Sequence, residues 1–395
     1  MTPATGNTAT GNPINGAPII DARRYDLDWL RVIAFGLLIF YHIGMYYVSW
    51  DWHVKSVHAG PFAEPLMLLL NPWRLPLLFL ISGVALKFAV DKAQADFARK
   101  RFFRLFIPLM AGVFLVVPPQ SYFELLANGE IGPGFTAFYQ KYISADQSFS
   151  VILPTWNHLW YVVYMLIYSM LVLPLMPLIG RWATAMDTPG FERLMSGGRV
   201  LFVPGLLFVF YRFTTDSWFP DETHALVDDW GAHVRYFSYF LIGILLAKNG
   251  AFWRAIAGAR RAGPLVSVGL AALLSMLWAN WDWISNQPLL VIAAQALRPL
   301  YAWVVIAALL ALAQQYLNRK SPILAYLTTA IFSFYILHQT IIVLAGVWLS
   351  GFGLPVAVEF ILLVTITFSG CYGLYEFVIR RVAFLRPLFG VVLKS

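Results

Sequence analysis

The chain reads as an all-α, polytopic integral membrane bundle of about ten transmembrane helices with both termini cytoplasmic. Three observations predict this. Of 395 residues, 59% are hydrophobic and only 12% are charged; a soluble domain carries about 25% charge, and the mean hydropathy here is +0.68. Apolar stretches of about 17–25 residues, the length a bilayer requires, recur along the whole chain. Basic residues crowd alternate loops and are sparse in the others, as the positive-inside rule demands. A barrel would need short alternating strands instead.

Taken in order, the first span covers residues 29–48 and follows Arg23 and Arg24. Together with that pair it resembles a signal peptide, but the run is too long and lacks a small-residue cleavage site. The second, 66–88, carries Arg74 and a kinking Pro76. The third, 102–119, starts in the cluster Arg99-Lys100-Arg101-Phe102-Phe103-Arg104 and contains Pro108. A long external stretch, 120–157, shows no transmembrane run and leads into the fourth span, 158–180. The fifth and sixth, 199–213 and 234–248, are short, and losing both together would leave the later orientation unchanged. Between them lies an acidic loop with Asp216, Asp221, Glu222, Asp228 and Asp229, to which Arg212 and Arg235 are expected to pair. Spans seven to ten follow at 265–283, 290–317, 322–350 and 355–379.

Residues 1–25 are expected to be a disordered cytoplasmic tail, because Thr, Asn, Gly and Pro dominate without periodicity. Residues 26–390 then form a single transmembrane domain. With these spans, the interiors of the external loops hold only Lys55 and Lys141 as Lys or Arg. The net charge of +8 therefore reflects topology and anionic membrane lipid, and calls for no nucleic acid. The single cysteine, Cys371, excludes internal disulfides and any cysteine metal cluster. No metal-ligand spacing, internal repeat or nucleotide-binding glycine motif is present.

Ionisable groups inside spans are expensive, roughly 2.5–3.5 kcal/mol for a central arginine on insertion scales. His42, Arg74, Arg298, His338 and Glu376 are such groups. By position along their helices, His42, His338, Arg74 and Arg298 converge just outside the midplane, whereas Glu376 lies near the cytoplasmic end. Arg31 shares the first span with His42, with ten residues between them. Eleven steps of about 100° bring the helix almost back to its starting angle, and the axial separation is roughly 16 Å. The two side chains cannot touch, but one long ligand, anionic at one end and reactive at the other, reaches both.

Each residue has a bland reading beside its chemical one. His42 and His338 serve either as histidines bonded across helices or as general bases. Arg74 and Arg298 meet a buried partner or a ligand. Arg31 either snorkels to headgroups, pairs with Asp28, or binds an anion. The cluster at 99–104 sets topology or grips phosphate. Trp50-Asp51-Trp52-His53 and Asn157-His158-Leu159-Trp160 form an aromatic belt or stack on sugar rings.

These segments stand in a telling order: Asp28-Trp29-Leu30-Arg31 with His42, Trp52-His53-Val54-Lys55-Ser56, Phe79-Leu80-Ile81-Ser82-Gly83, and Arg101-Phe102-Phe103-Arg104 with Ile107-Pro108. His158-Leu159-Trp160, Phe334-Tyr335-Ile336-Leu337-His338 and Tyr375-Glu376 complete it. From Asp26 to Leu388 the chain resembles the bacterial membrane acyltransferase family 3, and its glucan-modifying branch in particular. That branch likeness is weak at 120–155 and 196–287.

The resemblance implies transfer of an acyl group, succinyl or acetyl, from cytoplasmic acyl-CoA to a hydroxyl of a periplasmic glucan, at the bacterial inner membrane. It implies acyl-CoA as co-substrate, with no bound cofactor or metal. His42 and His338 would be catalytic, and Arg31, Arg101 and Arg104 would hold the donor. Arg74, Ser82, Trp52, His53, His158 and Trp160 would contact substrate or the oxyanion. His42 acts either as base for direct transfer or as an acyl-accepting nucleophile. With a dicarboxylic donor, Arg74 or Arg298 is expected at the distal carboxylate. The competing class is a transporter or flippase of a glycan or small anionic solute, and a noncatalytic scaffold is the third.

Overall fold

The computed structural model describes residues 23–93 and 95–392, so the expected tail lies almost wholly outside the described residues. Those residues form helices joined by loops, with no strand among them. Helix α1 (Tyr25–Met45) has Asp26 and Asp28 in its first turn, where carboxylates complement the helix dipole. Helix α2 (Glu64–Val90) runs unbroken through Pro72 and Pro76. Proline removes backbone donors, and here Trp73 Nε1 (2.8 Å) and Tyr301 Oη (3.2 Å) donate to the Leu69 carbonyl in the same stretch.

Helix α3 (Phe97–Ala127) corrects the expected boundary at residue 119. A π turn, Gly112–Val116, closes with Val117 N–H on the Gly112 carbonyl at 2.9 Å. The chain then enters a new helical stretch at Pro118, where missing N–H groups cost nothing. Helix α4 (Asn157–Val172) bends by 82° into Met176–Ala185, and α6 (Trp230–Leu246) by 107° into Gly250–Gly258. Helix α5 (Arg199–Trp218) lies between them, followed by α7 (Ala262–Ala279), α8 (Pro288–Tyr316), α9 (Pro322–Ser350) and α10 (Val356–Ile379). Among the described residues, eight helices are long and apolar enough to cross a membrane, and up to ten if each bent pair counts as a span.

Enclosure sorts these helices. The most apolar window of α9 is 78% buried, against 17% for α7 and 22% for α10. Helix α9 is thus a core helix, packed on α1 and α10, while α7 presents most of its surface outward. The closest crossing joins α2 to α6. A Cβ at Gly83 would stand 2.0 Å from the Phe240 carbonyl oxygen, and one at Gly243 2.1 Å from that of Leu80. Small residues permit this backbone approach, as in membrane helix pairs generally. Gly83→Leu is therefore expected to abolish the monodisperse peak in detergent size-exclusion chromatography. A symmetrical peak at parental yield would show that the crossing tolerates a side chain.

Candidate active site

At the end of the bundle bearing the 46–63 and 128–156 loops, α1, α2, α4 and α9 surround a cavity of about 770 Å³. Its lining includes His42 and Tyr41 from α1, Arg74 and Asn71 from α2, and His158, Trp160 and Tyr161 from α4 and its first turn. Trp52 and His53 enter from the loop after α1, and Glu222 and His224 from the acidic loop.

His42 is bonded through Nδ1 to Nε2 of His338 at 2.7 Å. The rings lie within 8° of parallel with centroids 4.9 Å apart, the separation of an in-plane bond between two imidazoles and not of a face-to-face stack. The opposite nitrogen of His338, Nδ1, is 2.6 Å from the Tyr335 carbonyl. A carbonyl only accepts, so His338 carries its proton on Nδ1. With both rings neutral, His338 Nε2 then accepts and His42 Nδ1 donates. The lone pair of His42 is left on Nε2, which makes no hydrogen bond among the described residues, and the ring lines the cavity. Backbone and neighbour together select the tautomer a base requires.

Arg74 is 7% exposed, yet none of its nitrogens makes a hydrogen bond, and Nε and Nη1 are fully enclosed without a partner. Its guanidinium lies 3.4 Å from the ring centroid of Tyr41, a cation–π contact. Asn71 fixes that ring by donating to Tyr41 Oη at 3.0 Å. The two carboxylates in the cavity are committed elsewhere. Glu124 pairs with His53 at 2.5 Å. Glu222 accepts from Tyr236 at 2.5 Å and Arg235 at 3.0 Å. Desolvation by itself would raise the Glu222 carboxyl, but His224, Arg235 and Tyr236 outweigh it and hold it down to about 2. Arg74 is thus a buried cation without an anion among the described residues.

A polar chain crosses the cavity wall beside the histidines. Gln339, the residue after His338, donates to His53 Nε2 at 2.8 Å and to Gln120 Oε1 at 3.0 Å. Gln120 donates to Thr340 Oγ1 at 2.7 Å and accepts from Asn157 at 3.1 Å. His158 is held by the Ile336 carbonyl at 3.1 Å, with its ring perpendicular to that of His338 at 5.1 Å. Trp160 stacks on His224 at 4.0 Å.

Arg31 lies at the opposite, basic end, close enough to Arg101 and Arg104 to interact electrostatically. It contacts Asp28 at 3.5 Å, the pair read from their spacing, but its Nε is enclosed without a partner. The Nε of Arg101 is likewise unpartnered, while its Nη2 reaches Ser169 at 3.4 Å. A cavity of about 400 Å³ opens beside Arg31, with Arg23, Arg24, Lys92 and Lys248 in its lining. Phe35, one turn above Arg31, sets its ring edge against Tyr161 and Tyr335, with centroids 6.0 and 5.4 Å away. Ser82 bonds Tyr161 Oη at 2.7 Å. Tyr161 both lines the large cavity and feels Arg31 and Arg101, so it stands between the two ends.

The sequence-derived set therefore divides. His42, Arg74, Trp52, His53, His158 and Trp160 line one cavity, with His338 directly behind His42. Arg31, Arg101 and Arg104 gather at the other end. Ser82 sits under Tyr161. Both ring nitrogens of His338 are engaged, so it has no donor for an oxyanion. Arg298 departs from its expected place and lines a neighbouring cavity. Glu376 bonds Tyr326 and Arg380, apart from the rest. Arg212 and Arg235 do meet acidic-loop carboxylates, at 3.9 and 3.0 Å. Sequence reasoning missed Gln120, Glu124, Asn71 and Gln339; the last stood next to His338 as a second polar residue in an apolar span, which was a usable signal.

A helical membrane bundle with an imidazole base and an unpaired guanidinium in one cavity, and a cation cluster at its far end, has the parts of a multi-pass group-transfer enzyme. An acyltransferase domain matches residues 24–376, and the chain belongs to the acyltransferase 3 family. It is similar to glucans biosynthesis protein C of Escherichia coli strains K12 and K12 / MC4100 / BW2952, at 26% identity over 161 residues, 39% of either chain. The chain thus matches about two fifths of the length of these relatives. No solved structure matches it.

Proposed function

We propose that this enzyme transfers an acyl group from acyl-CoA, bound at the basic end, to a hydroxyl of a glucan entering the large cavity. The observation that carries this reading is the His338–His42 bond, which leaves a base lone pair beside the unpaired Arg74. The basic end and both termini face the cytoplasm of the inner membrane in this proposal, in keeping with the loop charges. Arg31, Arg101 and Arg104 hold the phosphates of the donor, as guanidinium forks do well. The pantetheine arm follows α1 past Phe35 and Tyr161, whose rings must turn aside to admit it. The roughly 16 Å between Arg31 and His42 suits an extended arm.

Transfer is direct. His42 Nε2 takes the proton of the sugar hydroxyl as its oxygen attacks the thioester carbonyl. The resulting oxyanion is stabilised by Arg74. The C–S bond then breaks, and the thiolate leaves with the proton from His42. Trp52 and Trp160 face the acceptor, with His53, His158 and the glutamine network around its hydroxyls. Exchange of label between CoA and acyl-CoA without acceptor would instead point to an acyl-histidine.

Labelled succinyl-CoA and acetyl-CoA, supplied separately to membranes containing the enzyme and glucan, test the reaction. Label should reach glucan from one of them; label from neither would remove the proposed donor and acceptor pair. If the acyl group carries a distal carboxylate, Arg74 also serves that charge. Arg74→Leu is then expected to depress succinyl transfer about tenfold more than acetyl transfer, about 1.4 kcal/mol of selective binding. Equal loss of both would confine Arg74 to the oxyanion.

A further inference from the structure

Beside the His42 cavity lies a smaller one of about 260 Å³, between α2, α5, α6 and α8. Asn71, Glu222 and Tyr236 line both, so one layer of side chains separates them. The charges of the small cavity do not balance. Arg235 is bonded to Glu222 at 3.0 Å and approaches Asp216 at 3.4 Å, and Arg212 reaches Asp216 at 3.9 Å. Arg298, on α8 beside Pro299, has no hydrogen bond or ion pair among the described residues. Three guanidiniums thus face two carboxylates, and the surplus charge is that of Arg298. Arg298 is exposed, so its charge is open to whatever enters the cavity.

The other unspent groups are donors too. Tyr211 Oη accepts from Ser238 at 3.2 Å, which leaves its own proton free. Tyr239 Oη, in the same lining, makes no hydrogen bond among the described residues. One surplus charge selects a monoanion, and dispersed hydroxyl donors select a ligand with more than two acceptor oxygens. A carboxylate is satisfied by one guanidinium fork and would leave both tyrosines unused. The cavity of about 260 Å³ has room for a phosphate group with the carbons that flank it.

We propose that this cavity is an anion subsite for a phosphodiester, held by Arg298 with Tyr211 and Tyr239. The diester is a monoanion with four oxygens, and it comes either from a membrane phospholipid or from a soluble phosphodiester-bearing substrate. The purified full chain in dodecyl maltoside tests this by thermal-shift titration with dihexanoyl phosphatidylglycerol, with glycerophosphoglycerol and with succinate. At least one diester is expected to bind saturably, about tenfold more weakly to Arg298→Gln and several-fold more weakly to Tyr239→Phe. Arg74→Leu, altered only in the larger cavity, is expected to bind like the parent. Binding of the lipid alone assigns the site to phospholipid, and equal binding of both diesters assigns it to the headgroup itself. Saturable binding of neither diester overturns the subsite, as does succinate binding equally well or diester binding that both Arg298→Gln and Tyr239→Phe leave unchanged. The readout is independent of acyl transfer, so its failure is separable from failure of the catalytic proposal.

Discussion

Membranes containing His42→Ala are expected to transfer label from acyl-CoA to glucan about 10²–10⁴ times more slowly than the parent at matched expression, the range a positioned general base supplies. The loss should fall on the rate of transfer and not on donor affinity, because the proposed phosphate site at Arg31 is roughly 16 Å away. Alanine at this position removes a partly buried ring from the cavity wall, so the fold should survive and size-exclusion behaviour should be parental. That comparison separates chemistry from folding. Full activity in a well-folded His42→Ala enzyme would leave the cavity without its base and move the site elsewhere. Arg31→Ala offers the converse case, in which the donor concentration for half-maximal rate rises while the maximal rate changes less.

The contrast between those two residues also explains what the sequence could carry. Depth in the membrane is written into the chain, because rise per residue is constant along a helix. The positions of His42, His338 and Arg74 in their spans therefore placed them at one level, and the structure brings all three together. Direction around the helix axis is not written in the same way when a helix is apolar around most of its circumference, as α8 is. Arg298 shares the level of Arg74 but belongs to a different cavity, because the packing of α8 on α5 and α7 turns it away. The partner of His42 lies 296 residues along the chain, a distance no local pattern reaches. Glu124 and Gln120 were hidden differently. They follow Pro118-Pro119, where an apolar run seemed to end, and only the π turn at Gly112–Val116 carries the helix on to place them. The acidic loop was legible because charges of opposite sign near a membrane have few other ways to be satisfied.

His338 provides the sharpest test of how the base is set. Its Nδ1 is fixed by the Tyr335 carbonyl and its Nε2 accepts from His42, so in the proposed mechanism it acts through His42 as a positioning residue. His338→Leu removes the acceptor and leaves His42 Nδ1–H unsatisfied in a buried place, worth about 1–3 kcal/mol, or roughly 5–150-fold in rate. His338→Gln keeps an oxygen that can accept from Nδ1 and is expected to recover much of that loss. A residue needed only for packing would give the opposite order, since leucine suits an apolar core better than glutamine does. The expected ranking in transfer rate is therefore parent, then His338→Gln, then His338→Leu, with the half-saturating donor concentration nearly constant across the three. If leucine matched glutamine, the hydrogen bond would not be selecting the tautomer. The free lone pair on His42 Nε2 would then be set by the acceptor hydroxyl itself, and the two-histidine arrangement would serve only to fasten α1 to α9.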